Sequence, residues 1–153
     1  MCLVAPGLGF GPLMVMGTDF VLTGAYSIMA FTASLIPFFL VSNLLLLNQF
    51  PDVDPDREAG RRHLPIVMGP RRSSIVYGIF LMFTYGTMLA GVYFKALPRY
   101  SLLGLVTVVI AVPTSIGAYR YGDNTAKLLT YMGLNVAITI ATPVLVAIGL
   151  LIE

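Results

Sequence analysis

Charge is what this sequence has least of. Only 10% of its 153 residues are Asp, Glu, Lys or Arg, while 58% are apolar. A soluble domain carries about 25% charge, so a soluble enzyme is excluded as a class. Cysteine is nearly absent. Cys2 is the only one, which excludes an intrachain disulfide and a CxxC metal site, and it reads as a plain terminal residue. There is no large basic excess either, and a net charge of +2 does not point to a nucleic-acid partner. The first 18 residues, "MCLVAPGLGFGPLMVMGT", lack a basic leader and are rich in Gly. They read as the tail of a helix running into a loop rather than as a signal peptide.

What the chain does have is long apolar blocks. Ser27 to Asn48, Ser74 to Phe94, Ser101 to Tyr119 and Tyr131 to Ile152 hold no Asp, Glu, Lys, Arg or His. Each is close to the roughly 20 residues a bilayer-spanning helix needs. Barrel strands are shorter and alternate apolar with polar, which these blocks do not. Backbone groups in hydrocarbon must bond to one another, so the blocks are helices. The expected fold is all-α: a polytopic transmembrane helical bundle of four full spans plus a partial leading helix, forming one domain over residues 1–153. The leading piece, Leu3 to Met16, is interrupted by Pro6, Gly7, Gly9, Gly11 and Pro12 and is not expected to span alone.

Residues 49–73 form the one substantial loop. It carries Arg57, Arg61, Arg62, Arg71 and Arg72, and residues 120–130 add Arg120 and Lys127. Two spans separate these segments, so they share a side; the other side has Lys95 and Arg99. Seven basic residues against two put the acidic loop in the cytoplasm and both termini outside a cytoplasmic membrane. Pro37, Pro113 and Pro143 fall within spans and predict kinks. Asn43 and Asn135 lie inside apolar blocks, where a polar side chain faces the bundle interior, as glue between helices or as cavity lining. Asp19 reads as a solvated loop residue.

The loop opens with "NQFPDVDPDREAGRR", which packs four acids and three arginines into residues 48–62. Asn48, Asp52 and Asp56 are four apart, a spacing that puts them on one face of a helix. Two carboxylates and an amide oxygen make a hard-oxygen site suited to Mg²⁺, with substrate phosphates filling the remaining positions. Arg57, Arg61 and Arg62 are candidates for diphosphate oxygens. Pro51 and Pro55 do not both fit a regular helix. In one repair the span ends near Phe50 and Asp54 caps a new helix with Pro55 at its first position, leaving Asp52 and Asp56 as ligands. The plainer alternative is a solvated loop whose charges mark the membrane boundary.

The whole string "NQFPDVDPDREAGRRHLPIVMG" resembles the second aspartate-rich motif of the UbiA superfamily of intramembrane prenyltransferases. The matching positions are Asn48, Asp52, Asp56, Arg57, Gly60 and Arg61, followed by the apolar strip Leu64 to Val67. The "NQFPD" opening is most similar to the branch that prenylates dihydroxynaphthoate in menaquinone synthesis. "GFGPLMVMGTDFVLTG" and "GLNVAITIATPVLVAIGLL" are similar to that branch's flanking segments. The resemblance implies Asp52 and Asp56 as metal ligands with Asn48 assisting, Mg²⁺ as cofactor, and a polyprenyl diphosphate and an aromatic acceptor as substrates. Two departures stand out. His63 occupies a position that is usually Thr or Ser, and is expected to be an exposed loop residue. The family also has about nine spans, roughly twice this length, and a first aspartate-rich motif with no counterpart here; "GDN" at 122–124 has one acid and no partner. The chain therefore resembles the C-terminal half, in need of an N-terminal half or a second subunit. Rival readings are another acceptor (hydroxybenzoate, glyceryl phosphate or a haem precursor) and a non-catalytic membrane bundle.

Overall fold

The computed structural model describes residues 3–152; Cys2 lies outside them. Seven helices follow one another, and no strand occurs among the described residues. Five are long and apolar enough to cross a membrane: α1 (Ala5–Thr23), α2 (Ile28–Asn48), α5 (Pro70–Tyr93), α6 (Arg99–Tyr121) and α7 (Thr125–Ile152). The short α3 (Val53–Glu58) and α4 (Leu64–Met68) occupy the acidic loop. The all-helical bundle expected from the apolar blocks is present.

The leading segment corrects the expectation of a partial helix. It is continuous from residue 5 to residue 23, because one π-helical turn at Gly9–Leu13 absorbs Pro12. Its glycines are contact surface rather than breaks. A Cβ on Gly11 would lie 2.6 Å from the Ser34 carbonyl oxygen, and one on Gly7 would collide with Ser42 and Phe38. Small residues four apart let α1 lie directly on the backbone of α2, a form of packing that serves helices in lipid.

Asp19 is likewise not in a loop. It sits in the last turns of α1, and its Oδ2 accepts hydrogen bonds from the Ser27 N–H and hydroxyl, both at 2.9 Å. Ser27 in turn caps α2 by accepting from the Ala30 N–H at 3.0 Å.

The interior is apolar with a few hydroxyl and amide groups fastened between spans. Ile36, Leu40, Leu46, Leu47, Met88, Leu128 and Ile138 are fully or almost fully buried. Asn43 on α2 donates to the Tyr77 carbonyl of α5 at 2.9 Å, and Asn135 on α7 donates to the Asn43 carbonyl at 3.4 Å. Both asparagines therefore join helices, and neither lines the cavities described below. Elsewhere the Ser74 hydroxyl of α5 reaches the Ala118 carbonyl of α6 at 2.9 Å. The Thr107 and Thr142 hydroxyls meet at 2.8 Å between α6 and α7. Large apolar side chains such as Leu13, Val21, Met82, Val109 and Leu151 are exposed on the outside of the bundle, where lipid is the solvent.

Candidate functional site

The site is built at the end of α2 that carries Asn48. Phe50 is buried and anchors the turn that follows, and Pro51 prevents the span from continuing. The chain re-enters a helix at Val53 with Asp52 at the N-cap position. The cap is thus Asp52, not Asp54, and Pro55 is the third helical residue rather than the first. The Asp52 carboxylate makes no capping hydrogen bond. Asp54 and Asp56 lie in the first turn of α3, where the helix dipole favours negative charge.

Gly60 ends α3. At φ 73° it takes the left-handed conformation that glycine adopts without a Cβ clash. The Gly60 N–H bonds to the Arg57 carbonyl at 3.1 Å, and the Arg61 N–H reaches back to the Asp56 carbonyl at 2.9 Å. This is the paired closure of a Schellman turn, and it reverses the chain over the helix it has just left. Arg61 and His63 are thereby swung back onto Asp56. Arg61 Nη1 donates to Asp56 Oδ1 at 2.9 Å, and His63 Nε2 lies 3.1 Å from Asp56 Oδ2. His63 is not the exposed loop residue expected from the sequence: its side chain is only 6% exposed.

Asn48, Asp52 and Asp56 do not share one continuous helix. They nevertheless line one cavity of about 510 Å³, together with Leu45, Gln49, Arg61, Arg62 and His63. Arg62 has no ion-pair partner among the described residues. Arg57 is set apart from this group. It pairs with the exposed Asp54 at 3.2 Å and lines a second cavity of about 340 Å³, which also includes Asp123.

Two members of the site were not anticipated. Gln49 Oε1 and His63 Nδ1 are buried with no hydrogen-bond partner. Gln49 is visible in the sequence as the neighbour of Asn48, with the same amide chemistry. His63 gives no such signal, because its approach to Asp56 depends on the turn at Gly60.

Among the described residues no group of three or more His, Cys, Asp and Glu is gathered as a self-sufficient metal cage. The donor set that is gathered suits a hard divalent cation. It comprises two carboxylates and two side-chain amides, one of which, Gln49, has its buried oxygen unpartnered, with basic groups beside them. Mg²⁺ is held by one or two carboxylates plus substrate phosphates in many sites, rather than by a full protein cage.

The fold is thus a helical bundle with five candidate membrane spans and a cavity at the end of one of them that gathers acids, amides and basic groups. The chain belongs to the UbiA prenyltransferase family, whose family model matches residues 2–150. No curated protein and no solved structure matches it. Family membership makes the chain an integral membrane protein of the intramembrane prenyltransferase class.

Proposed function

We propose that the chain takes part in transferring a polyprenyl group from its diphosphate to an aromatic acceptor, dihydroxynaphthoate of menaquinone synthesis. The observation that carries this reading is the convergence of Asn48, Asp52, Asp56, Arg61 and Arg62 on one cavity at the end of a membrane span. Asp52 and Asp56 would hold Mg²⁺, helped by the amide oxygens of Asn48 and Gln49. Bound Mg²⁺ supplies charge neutralisation for the departing pyrophosphate. Arg62 and Arg61 offer guanidinium N–H groups to the phosphate oxygens. As the allylic C–O bond breaks, pyrophosphate leaves and cationic character grows on the allylic carbon; an aromatic ring carbon attacks it and then sheds the group it carried, a proton or a carboxylate as CO₂, to regain aromaticity. The isoprenoid tail occupies apolar space among the spans.

The dihydroxynaphthoate assignment rests on the "NQFPD" opening at residues 48–52. The cytoplasmic placement of the site rests on the seven Lys and Arg residues that share its side. The proposal includes a second acid-rich patch contributed by a further segment or another chain. A diphosphate carries more negative charge than one cation, already balanced by its acid pair, neutralises, and Asp123 shares a cavity with Asp54 and Arg57 rather than with Asp52 and Asp56.

The test is binding of a radiolabelled polyprenyl diphosphate to the purified chain in detergent, with and without Mg²⁺. Mg²⁺-dependent binding that disappears in Asp52→Asn and Asp56→Asn is the expected result. Binding that survives both substitutions favours a non-catalytic bundle. Turnover with dihydroxynaphthoate by this chain alone overturns the shared-site part of the reading.

A further inference from the structure

His63 is the one histidine in the chain, and the fold buries it at the wall of the cavity. It occupies the N-cap position of α4, where Ser, Thr, Asp or Asn is preferred because a short side chain bonds the helix's first N–H groups. His63 makes no such bond. Its backbone carbonyl still begins the helix, accepting from the Ile66 and Val67 N–H groups at 3.1 Å, while the ring turns away toward Asp56. The ring is thus not held in place by a capping duty.

The Asp56 carboxylate is gripped at both oxygens, by Arg61 at Oδ1 and by His63 at Oδ2. A carboxylate has about four lone-pair directions, so each oxygen keeps one free after the clasp forms. Asp52, by contrast, is exposed and makes no ion pair. The two acids differ in kind: one is exposed and unpaired, the other is held at both oxygens. We propose that His63 is a positioning residue that donates Nε2–H to Asp56 Oδ2 and fixes the orientation in which that carboxylate meets a divalent cation. This rests on the reading of Asp52 and Asp56 as cation ligands. Hydrogen-bond partners of ligating carboxylates orient them, and their loss commonly lowers metal affinity by about 10- to 100-fold. The buried Nδ1 without a partner agrees with this assignment, because Nε2 is then the atom that carries the proton to Asp56.

The experiment measures Mn²⁺ affinity by electron paramagnetic resonance on the purified chain in detergent, alongside ¹H–¹⁵N spectra of its single imidazole. In the wild-type chain the ring is expected in the Nε2-protonated form, with signals that move in Asp56→Ala. His63→Ala is expected to weaken Mn²⁺ binding by about 10- to 100-fold. His63→Gln, whose amide N–H reaches where Nε2–H does, is expected to recover most of that loss. Unchanged Mn²⁺ affinity in His63→Ala, absence of rescue by His63→Gln, or imidazole signals indifferent to Asp56→Ala each overturn the proposal. If His63→Ala does not fold, the glutamine variant and the imidazole spectra still decide the matter. Mn²⁺ binding that survives Asp52→Asn and Asp56→Asn instead removes the cation-site reading, and the spectra then judge the His63–Asp56 contact by itself.

Discussion

The Tyr77 hydroxyl donates to Oδ1 of Asn135 over 2.8 Å, so side chains 58 positions apart fasten α5 to α7 in the apolar interior. Asn43 brings α2 into the same network through the Tyr77 carbonyl. Replacing Asn135 by Leu strands the buried Tyr77 hydroxyl and is expected to destabilise the bundle by about 1–3 kcal/mol. Tyr77→Phe is expected to act in the same direction but less strongly, by about 0.6 kcal/mol, the average for hydrogen bonds between membrane helices, and by no more than about 1.7 kcal/mol. Thermal unfolding in detergent measures both.

The arginines of the acidic loop are predicted to be unequal. Arg62 lines the acid cavity without an ion-pair partner, and Arg57 faces another cavity beside Asp54. Arg62→Ala is expected to weaken Mg²⁺-dependent diphosphate binding by about ten-fold or more, since a hydrogen bond to a charged group contributes about 1.5–3 kcal/mol. Arg57→Ala is expected to leave that binding nearly unchanged. Equal losses in a binding titration would contradict the sidedness of the loop.

Gly149 and Gly133 lie on the same helix and make opposite predictions. A Cβ on Gly149 would run into the Tyr100 backbone, whereas one on Gly133 would meet nothing within 4 Å. Gly149→Ala is expected to cost about 1–3 kcal/mol through overpacking. Gly133→Ala is expected to be neutral or stabilising, by up to about 1 kcal/mol, because alanine is the better helix former. Unfolding midpoints of the two variants provide the comparison.

Asp19 organises the α1–α2 turn through Ser27. Asp19→Ala removes both hydrogen bonds and is expected to cost about 1 kcal/mol, as losses of helix caps do. Faster hydrogen exchange at the start of α2 is the local readout.

Gly60 has open space around it, so an added Cβ meets no neighbour and only the backbone conformation opposes it. Gly60→Ala is expected to cost about 1–2 kcal/mol, the penalty of the left-handed conformation for other residues. Because this turn carries Arg61 and His63 back to Asp56, Mn²⁺ affinity is expected to fall in the same variant. A loss of stability with unaltered affinity would separate the turn from the site.

Four of the five spans were legible because uncharged stretches of sufficient length leave helix as the one backbone solution in lipid. The first span was not. Gly7, Gly9, Gly11 and Pro12 read as breaks by the rules of helices in water, but Gly7 and Gly11 are where α1 touches α2, and Pro12 is absorbed by a local change of pitch. Helix ends were also underestimated. α5 begins at Pro70 and includes Arg71 and Arg72, since a helix need not stop where its apolar stretch does. In the loop, Asn48, Asp52 and Asp56 line one cavity, although the single helix that their four-residue spacing suggests is broken at residues 49–52. What spacing could not show was direction. The left-handed turn at Gly60 sends Arg61 and His63 toward Asp56 and leaves Arg57 behind, and no periodicity in the sequence encodes that reversal.

The first nine residues of α6, Arg99–Thr107, are wound as a 3₁₀ helix. Such a coil rises about 2.0 Å per residue instead of 1.5 Å, so this stretch gains roughly 4–5 Å of reach over an α-helix of the same length. It is also slimmer. The gain in height lets a 23-residue span keep level with longer neighbours. Packing is close at Gly104, where a single added methyl would press on Met88 and Val146. Rewinding that stretch into an ordinary α-helix would therefore both shorten the span against the bilayer and wedge it away from α7.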